Sequence, residues 1–215
     1  MIRKNKWQLI ISSVIIILPI VAGLFIWNYL PEQIATHWGI DGEPDGWSGK
    51  GFAVLGMPLI LLALHWLCIF FTAHDPKNKE QSSKVFNMVL WIIPIISLIV
   101  CSCSYAFALG NDINIVMICR VLIGIIFVII GNYMPKCKQN YTIGIKVPWT
   151  LQNEENWNKT HRFAGRLWVL GGLLILATLF VPMANFIYVL IPLIILMVFV
   201  PIIYSYVYYR KQVHL

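Results

Sequence analysis

Charge is what this chain has least of. Lys and Arg number 16 and Asp and Glu number 9 among 215 residues, 12% in all, against 59% apolar residues. Soluble domains carry about a quarter charged residues, so a soluble globular class is excluded. The apolar stretches also lack polar–apolar alternation, which excludes a membrane β-barrel, whose strands must alternate. No HExxH, GxSxG, P-loop or dinucleotide fingerprint occurs. Enzymatic activity is therefore not expected, and no cofactor is implied. The five cysteines, Cys68, Cys101, Cys103, Cys119 and Cys137, lie in or at the edge of apolar runs. No pair sits in a polar connection, so no disulfide framework is expected. Low-complexity linkers and a separate soluble domain are absent as well.

What is present is six apolar runs, at about 7–30, 52–72, 86–109, 115–134, 164–183 and 185–209. Each is roughly 20 residues or more, enough to cross a bilayer. Continuous apolar runs that span lipid must be helices, because every backbone polar group needs a partner within the segment. The fold class is an all-α polytopic integral membrane protein with six transmembrane helices. Pro58, Pro94, Pro192 and Pro201 fall inside these runs as expected kinks. The first run is longer than the apolar core of a cleaved signal and reads as a retained helix.

Lys and Arg set the expected orientation. Arg3, Lys4 and Lys6 precede the first run. Lys77, Lys79 and Lys84 follow the second, and Lys136, Lys138, Lys146, Lys159 and Arg162 follow the fourth. Arg210 and Lys211 end the chain. With six crossings all of these share one side, and Lys50 stands alone on the other. The positive-inside rule then places both termini in the cytoplasm of a cell membrane. This bias and contact with anionic lipid account for the net charge of +7, so no direct nucleic-acid binding is implied.

The chain divides into an N-terminal half, 1–110, and a C-terminal half, 111–215, each with three spans. Opposed orientation of the halves is compatible with an inverted 3+3 repeat. Pro31 and Pro135 end the first helix of each half. Gly39-Ile40 corresponds to Gly144-Ile145. Trp47 precedes Phe52-Ala53 as Trp157 precedes Phe163-Ala164.

Two polar connections hold most of the distinctive residues. The first, 31–51, is read as an outer loop with Glu32, Asp41, Glu43 and Asp45 against Lys50. Such a surface attracts a cationic ligand. Trp38 and Trp47 are read either as interfacial anchors or as ligand contacts. Asp41, Glu43, Asp45 and Gly46 match the start of an EF-hand loop, but Phe52 stands where the bidentate Glu belongs, so no metal site is expected. Asp41-Gly42 and Pro44-Asp45-Gly46 are turn formers. His37 is a candidate ligand or proton sensor, or a surface histidine with an ordinary hydrogen bond.

The second connection, 135–162, is long for a structureless loop. Lys146-Val147-Pro148-Trp149 is expected to be extended, with Thr150 capping a turn that contains Glu154. Asn153–Arg166 is expected as an interfacial helix running into the fifth span, with Trp157 and His161 on one face. In one reading Lys138, Lys146 and Lys159 rest on lipid headgroups. In the other, Trp149, Trp157, His161 and Arg162 form a docking surface for a cytoplasmic protein.

Within the membrane, Arg120 is a functional candidate by position, or snorkels to headgroups, with Asp112 and the loop acids as candidate partners. His65 with Cys68 is read as a buried hydrogen-bonded histidine rather than half a metal site. Gly165, Gly171, Gly172 and Ala177 mark a small-residue packing face.

The second connection resembles the cytoplasmic segment of the SdpI family of bacterial membrane proteins. The residues that carry the resemblance are Gly131-Asn132, Pro135-Lys136, Asn140, Gly144-Ile145-Lys146, Pro148-Trp149-Thr150-Leu151, Asn153, Trp157 and Thr160-His161-Arg162 through Gly165. Leu30-Pro31, Ile34, His37-Trp38 and Gly42-Glu43-Pro44-Asp45-Gly46-Trp47 resemble a small uncharacterised domain common at the N-terminus of that family. The resemblance implies immunity to a secreted killing peptide. It also implies membrane sequestration of a transcriptional repressor when the toxin is bound, and His37 with Asp45 as a functional pair. A transporter of a small peptide or lipid is the alternative, and a membrane enzyme a third.

Overall fold

The computed structural model describes residues 2–39, 41–77, 83–180, 182 and 186–213. Ile40 of the repeat correspondence and Lys79 of the orientation argument lie outside them. Helices dominate: α1 (Lys6–Phe25), α2 (Met57–His74), α3 (Ser83–Ala108), α4 (Ile115–Tyr133), the short α5 (Pro148–Gln152), α6 (Glu154–Ala177) and α7 (Phe186–Val213). Among the described residues, six helical segments are long and apolar enough to cross a membrane. The all-α polytopic class therefore holds.

Two local features differ from expectation. The connection 31–51 is not a plain loop but holds a hairpin of β1 (Gln33–Trp38) and β2 (Pro44–Gly49). The fifth span starts at Glu154 rather than near residue 164. Asn153 is its N-cap, accepting from the Asn156 N–H at 2.8 Å, while Thr150 takes part in the cap of α5, which ends before Glu154.

By internal packing the chain forms two units, residues 1–70 with 89–119, and 71–88 with 120–215. This division does not coincide with a cut at residue 110.

In the first unit, α1 ends in a 3₁₀ turn, Trp27–Tyr29, and the chain then turns into β1. Leu30 and Ile34 bury against Ala53, Val54, Cys101 and Tyr105, with Ile26, Trp27 and Ala108 around them. That cluster seats the hairpin on the helix ends. A π-helical turn, Phe52–Gly56, opens the second membrane helix. Within the membrane His65 and Ser12 join α2 to α1, Nε2 to Oγ at 2.9 Å.

In the second unit, α4 and α6 approach until their backbones nearly touch. A Cβ at Gly165 would lie 2.6 Å from the Gly131 carbonyl oxygen, and one at Gly172 would lie 2.7 Å from that of Gly124. Small residues permit the close backbone approach that drives helix association in lipid. Gly171 faces Met197 of α7, and the Trp168 indole N–H donates to the Met197 carbonyl at 2.9 Å.

Candidate functional sites in the hairpin and in the segment 135–162

The hairpin tip forms where the turn residues predict it. Gly42 has φ +89°, the left-handed conformation that glycine tolerates. The Glu43 N–H donates to Asp41 Oδ1 at 3.1 Å, and the Gly39 N–H to the Glu43 carbonyl at 2.8 Å. Ala35 pairs with Trp47, His37 with Gly46 and Trp38 with Pro44, with irregularities on either side of His37. Such irregularities re-aim side chains. Here His37 meets Asp45, Nδ1 to Oδ1 at 2.5 Å, with both side chains exposed, 73% and 54%. The histidine that the sequence left between two roles thus has a carboxylate partner across the hairpin.

The other candidates in this connection separate. Asp41, Glu43 and Asp45 are exposed, and Trp47 is 54% exposed. Trp38 is half-buried. It packs edge-on against Phe107 of α3, with ring centroids 5.9 Å apart. Lys50, the lone base here, is turned inward. Its Nζ lies 2.9 Å from Glu32 Oε1, and it donates to the carbonyls of Leu30 and Trp27 at 3.2 and 3.4 Å. It thereby ties down the turn that follows α1. Lys50 and Glu32 neutralise each other at the base, and Asp41, Glu43 and Asp45 remain as exposed carboxylates toward the tip.

The segment 135–162 is folded, not draped. Asn140 is fully buried. Its Nδ2 donates to the carbonyls of Lys138 and Ile143 at 2.8 and 3.0 Å, while its Oδ1 accepts from the N–H groups of Thr142 and Ile143 at 2.8 and 2.6 Å. An asparagine used on both faces builds a turn that the backbone could not hold alone. Thr150 Oγ1 donates to the Ile145 carbonyl at 2.8 Å and accepts from the Val147 N–H at 3.1 Å. Pro148 starts α5, where a missing N–H costs nothing.

Trp157 and His161 share a face, as their spacing predicts, but that face is internal. Trp157 is 0% and His161 1% exposed. Their rings stack at 4.0 Å and 21°. The Trp157 indole N–H donates to the Cys137 carbonyl at 2.8 Å. His161 Nε2 accepts from the Ile145 N–H at 3.0 Å, and Nδ1 lies 2.8 Å from the Trp157 carbonyl. These contacts select the neutral tautomer that carries its proton on Nδ1. Direct docking through Trp157 and His161 is thereby corrected: as an adjoining pair with apolar faces they serve as the segment's core. Trp149 is partly covered. Its indole N–H donates to Ser205 Oγ of α7 at 2.7 Å, and its ring meets Tyr206 and Tyr209. Asn153 Nδ2 donates to Gln212 Oε1 at 2.9 Å. Asn132, Lys136, Lys146 and Arg162 are exposed, whereas Gly165 is buried against α4.

Arg120 does not snorkel. It is 4% exposed, donates to the Thr178 carbonyl at 3.1 Å, and has its guanidinium 4.4 Å from the Phe186 ring centroid. The carbonyls at the end of α6 carry the negative end of the helix dipole, so the Thr178 carbonyl is a favourable acceptor for a guanidinium. His65 is fully buried and bonded to Ser12, while Cys68 is exposed. The two do not assemble as half a metal site.

Asp75 and Gln139 went unread in the sequence, and Lys77 was read for orientation alone. Asp75 is 6% exposed, and its Oδ2 accepts from the Tyr141 N–H at 2.7 Å and from Thr142 Oγ1 at 3.0 Å. Lys77 donates to Gln139 Oε1 at 2.8 Å, and Gln139 Nε2 to the carbonyls of Thr150 and Leu151 at 2.7 and 3.0 Å. The connection after α2 thus grips the connection after α4. The trace in the sequence is an acid, Asp75, two residues before Lys77.

Comparison with known proteins agrees with both regions. The sequence model of the SdpI/YfhL protein family matches residues 136–205, and that of a domain of unknown function, DUF1648, matches residues 14–62. The chain is 30% identical over 210 residues to the "Immunity protein SdpI" of Bacillus subtilis (strain 168), covering 97% of each chain. No solved structure matches. With similarity running through hairpin, folded segment and spans alike, the chain belongs to the SdpI family of membrane immunity proteins.

Proposed function

We propose that this protein confers immunity to a secreted killing peptide of cationic or amphipathic character, and that the peptide is recognised at the β1–β2 hairpin. The observation that carries this reading is the disposition of charge. Lys50 is spent on Glu32 and on the carbonyls of Trp27 and Leu30, while Asp41, Glu43, Asp45 and Trp47 are exposed. Carboxylates draw in a basic peptide, and an exposed tryptophan supplies the apolar contact that anchors one.

In this reading both termini face the cytoplasm and the hairpin faces outward, supported by the distribution of Lys and Arg. The segment 135–162 then lies inside the cell. Its exposed Lys146 and Arg162 are where a cytoplasmic repressor would dock. Sequestration of that repressor needs two states of the bundle, because bound peptide shifts an equilibrium only through unequal affinity for its states. The buried Trp157–His161 stack belongs to the closed state, and loss of its bond to Ile145 is the local change that would report an open one.

Survival of a sensitive Gram-positive host at matched expression tests the hairpin. Trp47→Ala and Asp45→Ala are expected to lose protection and to keep membrane levels. If His37→Ala and Asp45→Ala both protect as well as the parent, recognition at this hairpin is wrong.

A further inference from the structure

We infer that the killing peptide pairs with this protein as an added β-strand, along the free edge of β2. The inference rests on recognition at the hairpin and specifies its mode. Among the described residues the sheet has two strands. β1 is the covered strand: Ile34 and Ala35 are fully buried, and Ile34 packs on the helix ends. β2 is the open one. Exposure alternates along it, with Asp45, Trp47 and Gly49 exposed. A Cβ built on Gly49 or on Gly51 would meet no atom within 4 Å, so the space beside the end of this strand is clear.

Register decides which backbone groups face that space. The Lys50 N–H donates to the Glu32 carbonyl at 2.9 Å, which makes Glu32 and Lys50 a hydrogen-bonded pair. Bonded and non-bonded pairs alternate along an antiparallel ladder. Ile34–Ser48 is therefore a bonded pair, and Gln33–Gly49 and Ala35–Trp47 are not. The N–H and C=O groups of Trp47 and Gly49 consequently point away from β1. Such a row is a template for another strand, and extended peptides use it by strand addition. Charge names the occupant. Lys50 is taken up by Glu32 and two carbonyls, which leaves Asp41, Glu43 and Asp45 exposed at the tip and along β2. Side chains alternate in a strand. A peptide with lysine at every second position lays its ammonium groups beside Asp45 and the Trp47 indole, whose face attracts a cation. A second copy of this chain would instead bring like charge to like at this edge.

Amide hydrogen exchange of the full chain in detergent, with an end-blocked hexapeptide of alternating lysine and valine, tests the mode. The peptide is expected to slow exchange at Trp47 and Gly49, while Ser48 is protected already without it. The same hexapeptide N-methylated at alternate residues keeps every side chain and charge but cannot pair, and is expected to leave these amides unprotected. Gly49→Pro removes one outward N–H at an edge position, where proline is tolerated. It is expected to weaken peptide binding about fivefold, the worth of one backbone hydrogen bond. Retained protection of the Ser48 amide checks that the hairpin of this variant is folded. Equal binding of the N-methylated peptide, or binding that leaves Trp47 and Gly49 unprotected, overturns strand addition and leaves recognition by the exposed acids standing. Protection of the same amides without peptide, in a concentration-dependent dimer, gives the edge to a second copy and also overturns it. Binding of neither peptide overturns strand addition together with recognition at the hairpin.

Discussion

Gly144 is packed so closely on His161 that a methyl group added to it would run into Nε2 of the imidazole. Gly144 also has φ +116°, a conformation that costs a side-chain-bearing residue about 1–3 kcal/mol. The next residue, Ile145, donates its N–H to that same Nε2. One glycine therefore lets the backbone pass flat over the histidine and deliver a hydrogen bond to it.

Gly144→Ala is expected to lower thermal stability in detergent, through both strain and collision. If the collision is with His161, the Gly144→Ala, His161→Ala double variant will be more stable than the sum of the single effects, since contacting residues are not additive. Strict additivity would leave strain alone as the cause.

Asp75 holds the segment from beneath. Asp75→Ala would leave the Tyr141 N–H without its acceptor and the Thr142 hydroxyl with Asn140 Oδ1 alone. Charge-assisted bonds of this kind contribute about 1.5–3 kcal/mol each. Hydrogen exchange at residues 141–143 should quicken by more than tenfold while α4 and α6 keep their protection. Unchanged exchange at Tyr141 would show that Asp75 does not secure the segment.

Lys50→Met should act on the hairpin and not on the helices. It withdraws the donor from the Trp27 and Leu30 carbonyls and frees Glu32, at a cost of about 1 kcal/mol. Faster amide exchange in β1 and β2 at an unaltered helical circular dichroism signal is the expected pattern. The hairpin also becomes more negative, so a cationic peptide should associate faster at low salt.

The spans were legible because an apolar run of bilayer length has few other uses. Residues 154–163 were legible as a helix running into the fifth span but not as part of the buried bundle, for a physical reason. Glu154, Asn156, Lys159 and Arg162 make this stretch too polar for a span, yet it is the first part of α6. Asn156 and Thr160 bury by bonding each other and the Ser205 carbonyl of α7, a long-range partner that local pattern cannot supply. The hairpin was obscured by Gly46, Gly49 and Pro44, poor strand formers that seal only because Leu30 and Ile34 find the helix ends. The Trp157–His161 spacing gave the shared face correctly. It could not say that the face points inward, because the cover comes from Val85, Cys137, Ile143 and Leu151, all outside α6.

The exposed acids of the hairpin carry the central claim, and survival under challenge with the killing peptide tests it most directly. A sensitive Gram-positive host expressing the parent chain is predicted to survive. The same host expressing an Asp41→Asn, Glu43→Gln, Asp45→Asn variant at equal membrane level is predicted to die, with Lys50→Met still protective. Full protection by the triple variant would contradict recognition at the hairpin.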